Sequence, residues 1–178
     1  MNRWIFKAGL VLFLLMISGL PGWAQAPGGA VKPVVTVDGR ANPELVPEWI
    51  LWRELFHVAV FLAEKAPDQG KDVWINRVRL SPQQMNQLIG HGVGLMQEEA
   101  QSEQEIKGLM KTSGAMKPEV LRGRLRQLQA DSEKRILAYR DRLGETIGSE
   151  TILKMLSFAR LHIAPGVRMG GFVPADRK

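Results

Sequence analysis

Seven residues recur along one stretch of this chain, Leu121, Leu125, Leu128, Ser132, Ile136, Tyr139 and Leu143, at steps of four, three, four, four, three and four. That spacing stays close to the helical period of roughly 3.6 and predicts one long, straight helix. The helix should start at Pro118, since proline is tolerated at a first helical position, and reach about Leu143, with Gly144 ending it. A stripe of that length has to be buried against other helices, so the pattern on either side decides the fold.

Three further segments carry helical signals. The first begins at Pro47 and runs through EWILWRELFHVAVFLAEKA to about Ala66. Leu51, Leu55, Val58 and Leu62 form one stripe, and Trp52, Phe56, Ala59 and Val60 form its neighbour. A helix this broadly apolar is covered on two sides, which makes it the central helix of a bundle. PDQGK (67–71) breaks the chain, and DVWINRVRL predicts a short helix that packs Trp74 and Val78. At LSPQQ, Ser81 occupies the N-cap position, Pro82 the first helical position, and Gln84 lies three residues after Ser81, which is a capping box. Met85, Leu88, Ile89, Val93 and Met96 continue at helical spacing, and the segment turns polar from Gln97 to Lys107. Gly90, Gly92 and Gly94 weaken it by about 1 kcal/mol each relative to alanine. KTSGAMKP (111–118) is a loop. Ser149 caps a last helix from Glu150 to Ile163, with Ile152, Met155, Leu156, Ala159 and Ile163 inward and Pro165 stopping it. The expected architecture is all-α, a four-helix bundle-like single domain over 47–164. A flexible leader precedes it at 25–46, where VVTV (34–37) is too short a β-like run to count alone, and a loose tail follows at 165–178.

Residues 1–24 read as a signal peptide. Arg3 and Lys7 supply a positive start, Ala8 to Ile17 is apolar apart from Gly9, and Gly22-Trp23-Ala24 places small residues where a signal peptidase cuts. The apolar run is shorter than the ~20 residues of a membrane-spanning helix, so cleavage after Ala24 is expected and no span remains. Periplasmic or extracellular localisation follows. The mature 154 residues bury roughly 68–70% of their unfolded surface, enough for a core without staples. The chain has no cysteine, which excludes disulfides, covalent c-type haem, thiolate zinc, iron–sulfur clusters and a cysteine nucleophile. Its formal charge of +6 includes the two basic residues of the signal. The modest remainder lacks the dense basic stripe of a nucleic-acid binder.

Few constellations carry chemistry. Glu98, Glu99, Glu103 and Glu105 precede the 111–118 loop, and Arg122, Arg124 and Arg126 follow it. If the two helices fold back near residue 115, position 105 lies opposite about 125 and the clusters face each other. They then form solvated ion pairs, or they offer Arg122, Arg124 and Arg126 as an interaction surface. Glu54-x-x-His57 has the spacing of half a di-iron carboxylate motif, but no second pair exists. His57, His91 and His162 read as surface or boundary residues, and the methionines as core filler. GHGVG (90–94) lies in mid-helix and reads as a place of close helix approach. No catalytic, cofactor-binding or metal-ligating residue is assigned, and no cofactor is expected.

Leu80-Ser81-Pro82-Gln83-Gln84 resembles the L-T-x-x-Q motif of Spy/CpxP-type periplasmic proteins, with Ser for Thr. Those are small exported helical bundles that act as ATP-independent chaperones or envelope-stress regulators. Asp38-Gly39-Arg40-Ala41-Asn42-Pro43-Glu44-Leu45-Val46-Pro47 is similar to a D-G-x-x-N-P-E-x-I-P segment of uncharacterised exported bacterial proteins, where it also precedes an aromatic-rich helix. That likeness implies architecture and compartment. The expected function is a non-enzymatic interaction protein of the envelope, chaperone-like or assembly-associated, with a protein partner. The alternatives are a cofactor- or metal-carrying bundle and an enzyme with an unrecognised site.

Overall fold

A computed structural model describes residues 35–112, 114 and 116–172. The signal-peptide and cleavage assignments, the first part of the leader and the last part of the tail lie outside the described residues. The fold is all-α, built around four longer helices. Its contacts group into two compact units, residues 48–159 on one hand and the described parts of 1–47 and 160–178 on the other. The sequence reading placed all of 47–164 in one domain. The second division falls instead at residue 159, inside the last helix.

In the larger unit, α1 spans Glu48–Lys65 and buries Ile50, Leu51, Trp52, Leu55, Phe56, Ala59, Val60 and Leu62. Both expected stripes are therefore covered except at Val58, which is half-buried. A short α2, Pro67–Lys71, runs into a single π turn, Asp72–Arg77. The Val78 amide donates to the Val73 carbonyl at 3.0 Å and the Leu80 amide to the Trp74 carbonyl at 2.8 Å. Trp74 and Val78 are buried as the sequence suggested, and the Trp74 ring packs tilted against Phe158 at 5.7 Å.

The helix α3 spans Pro82–Thr112, and α4 spans Pro118–Ile147. The capping box forms at the head of α3. The Gln84 amide donates to Ser81 Oγ at 3.2 Å, and the Ser81 amide donates to Gln84 Oε1 at 2.9 Å. Gln84 Nε2 also donates to the Ile147 carbonyl at 3.3 Å, tying the start of α3 to the end of α4. α4 runs past Gly144, which lies within it, and ends at Gly148, whose φ of 88° only glycine adopts without strain. The Gly148 amide closes the helix on the Gly144 carbonyl. A glycine signals a helix end only where the backbone turns left-handed, and Gly144 is instead a small surface against which Ile152 packs. The last helix, α5, covers Ser149–His162, so Ser149 is its first residue rather than a preceding cap. Within the unit, α1 packs on α2, α3 and α4, and α3 on α4.

The smaller unit corrects the leader and tail assignments over their described parts. Residues Val35–Asp38 form β1 and Arg168–Phe172 form β2, paired antiparallel as Val35↔Phe172, Val37↔Met169 and Asp38↔Arg168, with a bulge between the first two pairs. Each run is too short and too rich in glycine or polar residues to be read alone, and its partner lies at the other end of the chain. Asp38 anchors the turn that follows. Its side chain accepts from the Arg40 amide at 2.9 Å, and its carbonyl accepts from Ala41 and Asn42. Gly39 is forced by space: a Cβ there would sit 2.0 Å from the Ala164 carbonyl oxygen. Among the described residues of this unit, Val37, Val46, Ile163, Ala164, Val167 and Met169 are the buried hydrophobic ones.

Among the described residues, no helix is long and apolar enough to cross a membrane.

Candidate functional site

Two features of the larger unit bring polar side chains together: an ionic cluster between α1 and α3, and the long arm made by α3 with α4. The cluster starts from Arg53 and His57, one turn apart on a helix that is otherwise apolar. Both reach Glu99 of α3. Arg53 Nε donates to Glu99 Oε1 at 2.7 Å, and His57 Nε2 lies in hydrogen-bond contact with Glu99 Oε2 at 2.6 Å. Arg53 Nη1 also donates to Glu54 Oε1 at 3.2 Å. Burial pushes the Glu54 carboxyl above its ordinary value, with Arg53 and His57 pulling it down and Glu99 adding to the rise. Burial works on Glu99 in the same direction, but the His57 hydrogen bond and the charges of Arg53 and His57 outweigh it, and the group sits below the ordinary carboxylate range. Glu54 and His57 do lie close, as their spacing suggested. Arg53 stands between the two carboxylates and already supplies the positive charge a cation would bring. Among the described residues, no three His, Asp or Glu side chains are arranged to hold a metal ion.

Beside this cluster, Tyr139 of α4 organises a second set. Its hydroxyl donates to Glu98 Oε1 at 2.7 Å, and Arg135 Nε pairs with Glu98 Oε2 at 3.2 Å while its Nη1 donates to Ser102 Oγ at 2.7 Å. The Arg142 guanidinium lies 4.1 Å from the Tyr139 ring centroid, and Phe56 and His91 meet the ring edge-on. The glycines of GHGVG make this packing possible. A Cβ at Gly92 would stand 2.8 Å from Val60 Cγ2 and 2.9 Å from the Phe56 carbonyl oxygen; at Gly94 it would meet the Tyr139 hydroxyl at 3.0 Å. The close helix approach read from the sequence is therefore present at Gly92 and Gly94, whereas Gly90 faces open space. Gln87, Gly90, His91 and Tyr139 border a shallow, open hollow on this side. Burial and Arg142 lower the His91 pKa. A third link joins Arg140 Nη1 to Glu48 Oε1 at 2.7 Å, an oxygen that also accepts from Trp52 Nε1 at 3.1 Å.

The acidic residues expected to face the arginines thus divide. Glu98 and Glu99 turn toward Arg135, Tyr139, Arg53 and His57. Glu105 alone meets one of the three assigned arginines, Arg124, as the fold-back register required. Glu103 pairs with Lys107 of its own helix at 3.2 Å, and Arg122 approaches Glu119 at 3.9 Å. Arg122, Arg124 and Arg126 are all exposed. They sit on the outer part of the hairpin. The buried residues of α3 end at Leu95, and on the facing stretch of α4 only Leu121 is buried ahead of Ile136. Beyond those points the two helices pack on each other, and among the described residues Ile106, Leu109, Met110, Leu125 and Leu128 along their seam stay half-buried.

The sequence reading missed the Arg53–His57–Glu99 and Tyr139–Glu98–Arg135 sets. A signal was available for the first: two polar residues four apart on a helix that is apolar on both flanks must find a partner when that helix is buried.

Comparison with protein-family models, with curated proteins and with solved structures found no match to this chain.

Proposed function

We propose that this chain is an exported protein of the bacterial envelope that works by binding other proteins, as a chaperone-like or assembly-associated factor. The observation that carries the reading is the arm. Two helices run on past Leu95 and Ile136 with a seam in which Leu121 is buried but Ile106, Leu109, Met110, Leu125 and Leu128 are half-covered, and with exposed arginines along it. A surface mixing half-covered aliphatic and methionine side chains with arginine suits contact with protein surfaces of varied shape. Export rests on the signal-like residues 1–24, and the Spy/CpxP-like string at Leu80–Gln84 agrees in kind with an envelope chaperone.

The direct test is light scattering from an unrelated, chemically denatured client diluted into the processed protein. The proposed activity lowers the scattering in proportion to the protein added. An Arg122→Ala/Arg126→Ala variant with unchanged thermal stability should lose much of that effect. Unchanged client aggregation at a several-fold molar excess would remove the chaperone reading. Crosslinking in the intact envelope then tests for a dedicated partner. Against the alternative of a metal- or cofactor-carrying bundle stands Arg53, which pairs with both Glu54 and Glu99 and supplies the positive charge a cation would bring. Elemental analysis and an absorbance spectrum of freshly purified protein decide it.

A further inference from the structure

We propose that two copies of this chain pair through their arms, antiparallel, with the basic tip of each arm lying on the acidic root of the other. The apolar part of the argument is the seam. From residue 100 to 112, α3 extends for about 20 Å past its last buried residue, Leu95, and packs along α4. Its Ile106, Leu109 and Met110, with Leu125 and Leu128 of α4, remain half-buried. The two helices enclose Leu121 but leave these five side chains partly open. A second pair laid across the seam makes a four-helix bundle, in which it is buried on all sides.

The charges say what the second pair is. The tip, residues 106–125, carries Lys107, Lys111, Lys117, Arg122 and Arg124 against one acid, Glu119. The root, residues 100–105 with 126–133, carries Glu103, Glu105, Asp131 and Glu133 against one base, Arg126. Glu98 and Glu99, deeper still, are held by Arg135 and Arg53, and Glu103 and Glu105 are likewise engaged by Lys107 and Arg124, so with those pairs set aside the contrast rests on Lys111 and Lys117 at the tip and on Asp131 and Glu133 at the root. The arm is thus positive at one end and negative at the other. A two-fold axis across its middle sets each end against its opposite, which is the self-complementarity an isologous interface demands. Parallel arms would place tip on tip and repel. A contact about 20 Å long and two helices wide covers several hundred Å² per copy, below the roughly 800 Å² per partner of a standard stable interface. The dimer is therefore weak, concentration-dependent and salt-sensitive.

Sedimentation velocity of the pure, full processed chain tests this with no client present, so its outcome is separate from that of the chaperone assay. The wild type should move from monomer to dimer between about 10 and 500 µM at low salt, and back toward monomer at about 0.5 M salt. A tip reversal, Lys111→Glu with Lys117→Glu, and a root reversal, Asp131→Lys with Glu133→Lys, should each stay monomeric with an unchanged circular dichroism spectrum. Mixed together, these two variants should associate. All four positions lie outside the buried core, Asp131 and Glu133 being half-buried, and the unchanged spectrum is the check on folding. Direction is read from disulfides in this otherwise cysteine-free chain. Gly114→Cys mixed with Gln129→Cys should give tip-to-root disulfides. A wild type that is monomeric throughout, reversals that dimerise as well as wild type, or disulfides confined to Gly114 with Gly114 would each overturn the proposal.

Discussion

Gly90 and Gly92 lie two positions apart in one helix and should respond in opposite ways to the same change. At Gly92 an added methyl meets Val60 Cγ2 at 2.8 Å and the Phe56 carbonyl oxygen at 2.9 Å, and a carbonyl oxygen cannot rotate aside. Gly92→Ala should therefore push α1 off α3 and cost about 1–3 kcal/mol, the usual range for overpacking. Gly90 faces open space, so Gly90→Ala should raise stability by up to about 1 kcal/mol through helix propensity alone. Urea unfolding followed by circular dichroism separates the two. Composition alone counts three helix-weakening glycines here, and only the fold tells which of them holds a neighbour close. The carboxylates of the ionic cluster also oppose each other. Glu54 has a raised pKa in the folded protein, so its favourable contribution exists at low pH and is lost as pH rises through that raised value. The pKa of Glu99 is lowered, so its contribution is present above the unfolded value of about 4.3 and is lost as pH falls through the folded one. Glu54→Gln should thus gain stability at pH 7, the gain fading toward pH 4. Glu99→Gln should lose about 1–3 kcal/mol at pH 7 by removing the charged acceptor that Arg53 and His57 share, and lose less at pH 3. Denaturant midpoints at pH 7, 5 and 3 give both signs, and parallel curves for the two variants would refute the pairing.

The helices differ in how much of each was readable from its own residues. The capping box at Ser81–Gln84 is local, and it forms atom for atom as its sequence implies. The periodic stripe from Leu121 to Leu143 fixed the existence of α4, but periodicity says nothing about how many neighbours a helix has. Ile136, Tyr139 and Leu143 are buried where α1 meets α4 through Phe56 and Glu48, and Leu121 is buried near the start of the helix, while Leu125 and Leu128 between them are only half-covered. Gly144 and Gly148 are equivalent as letters, and the turn falls at the second because only there does the backbone change hand. Native-state hydrogen exchange should show this division within one continuous helix. Amides from about 120 to 131 should exchange through local opening, and those from about 136 to 147 only with global unfolding. Substitution should follow the same line. Ile136→Ala should cost about 2–5 kcal/mol, as for a fully buried aliphatic, and Leu128→Ala clearly less. Equal protection along the whole of α4 in dilute protein would mean that the arm is covered after all.

At the scale of the whole chain, the strands were the least legible elements and should also be the last to form. Asp38 pairs with Arg168, so β1 and β2 are on the order of 130 residues apart. No window of sequence contains both, and neither run of residues has enough alternation to announce itself. The same separation sets a cost. Closing a loop of that length in an unfolded chain costs about 4 kcal/mol plus a constant, by the logarithmic scaling of closure entropy with length. A two-stranded ladder this short, with a bulge between Val35 and Val37, cannot recover that alone. The helices between them rest on near-neighbour contacts such as the Ser81–Gln84 cap and the Arg124–Glu105 approach across the hairpin, which form without long loops. The pairing of β1 with β2 must therefore follow the folding of the 48–159 unit. Pulse-labelled hydrogen exchange during refolding should find the α1, α3 and α4 amides protected in an earlier phase than the Gly39 amide, which donates to Val167 across the turn. Gly39→Ala, which drives a Cβ into the Ala164 carbonyl, should abolish the late phase and leave the early one intact. If Gly39 gained protection together with the helices, or if Gly39→Ala slowed the protection of α3 and α4, the ends of the chain would be nucleating the fold rather than closing it.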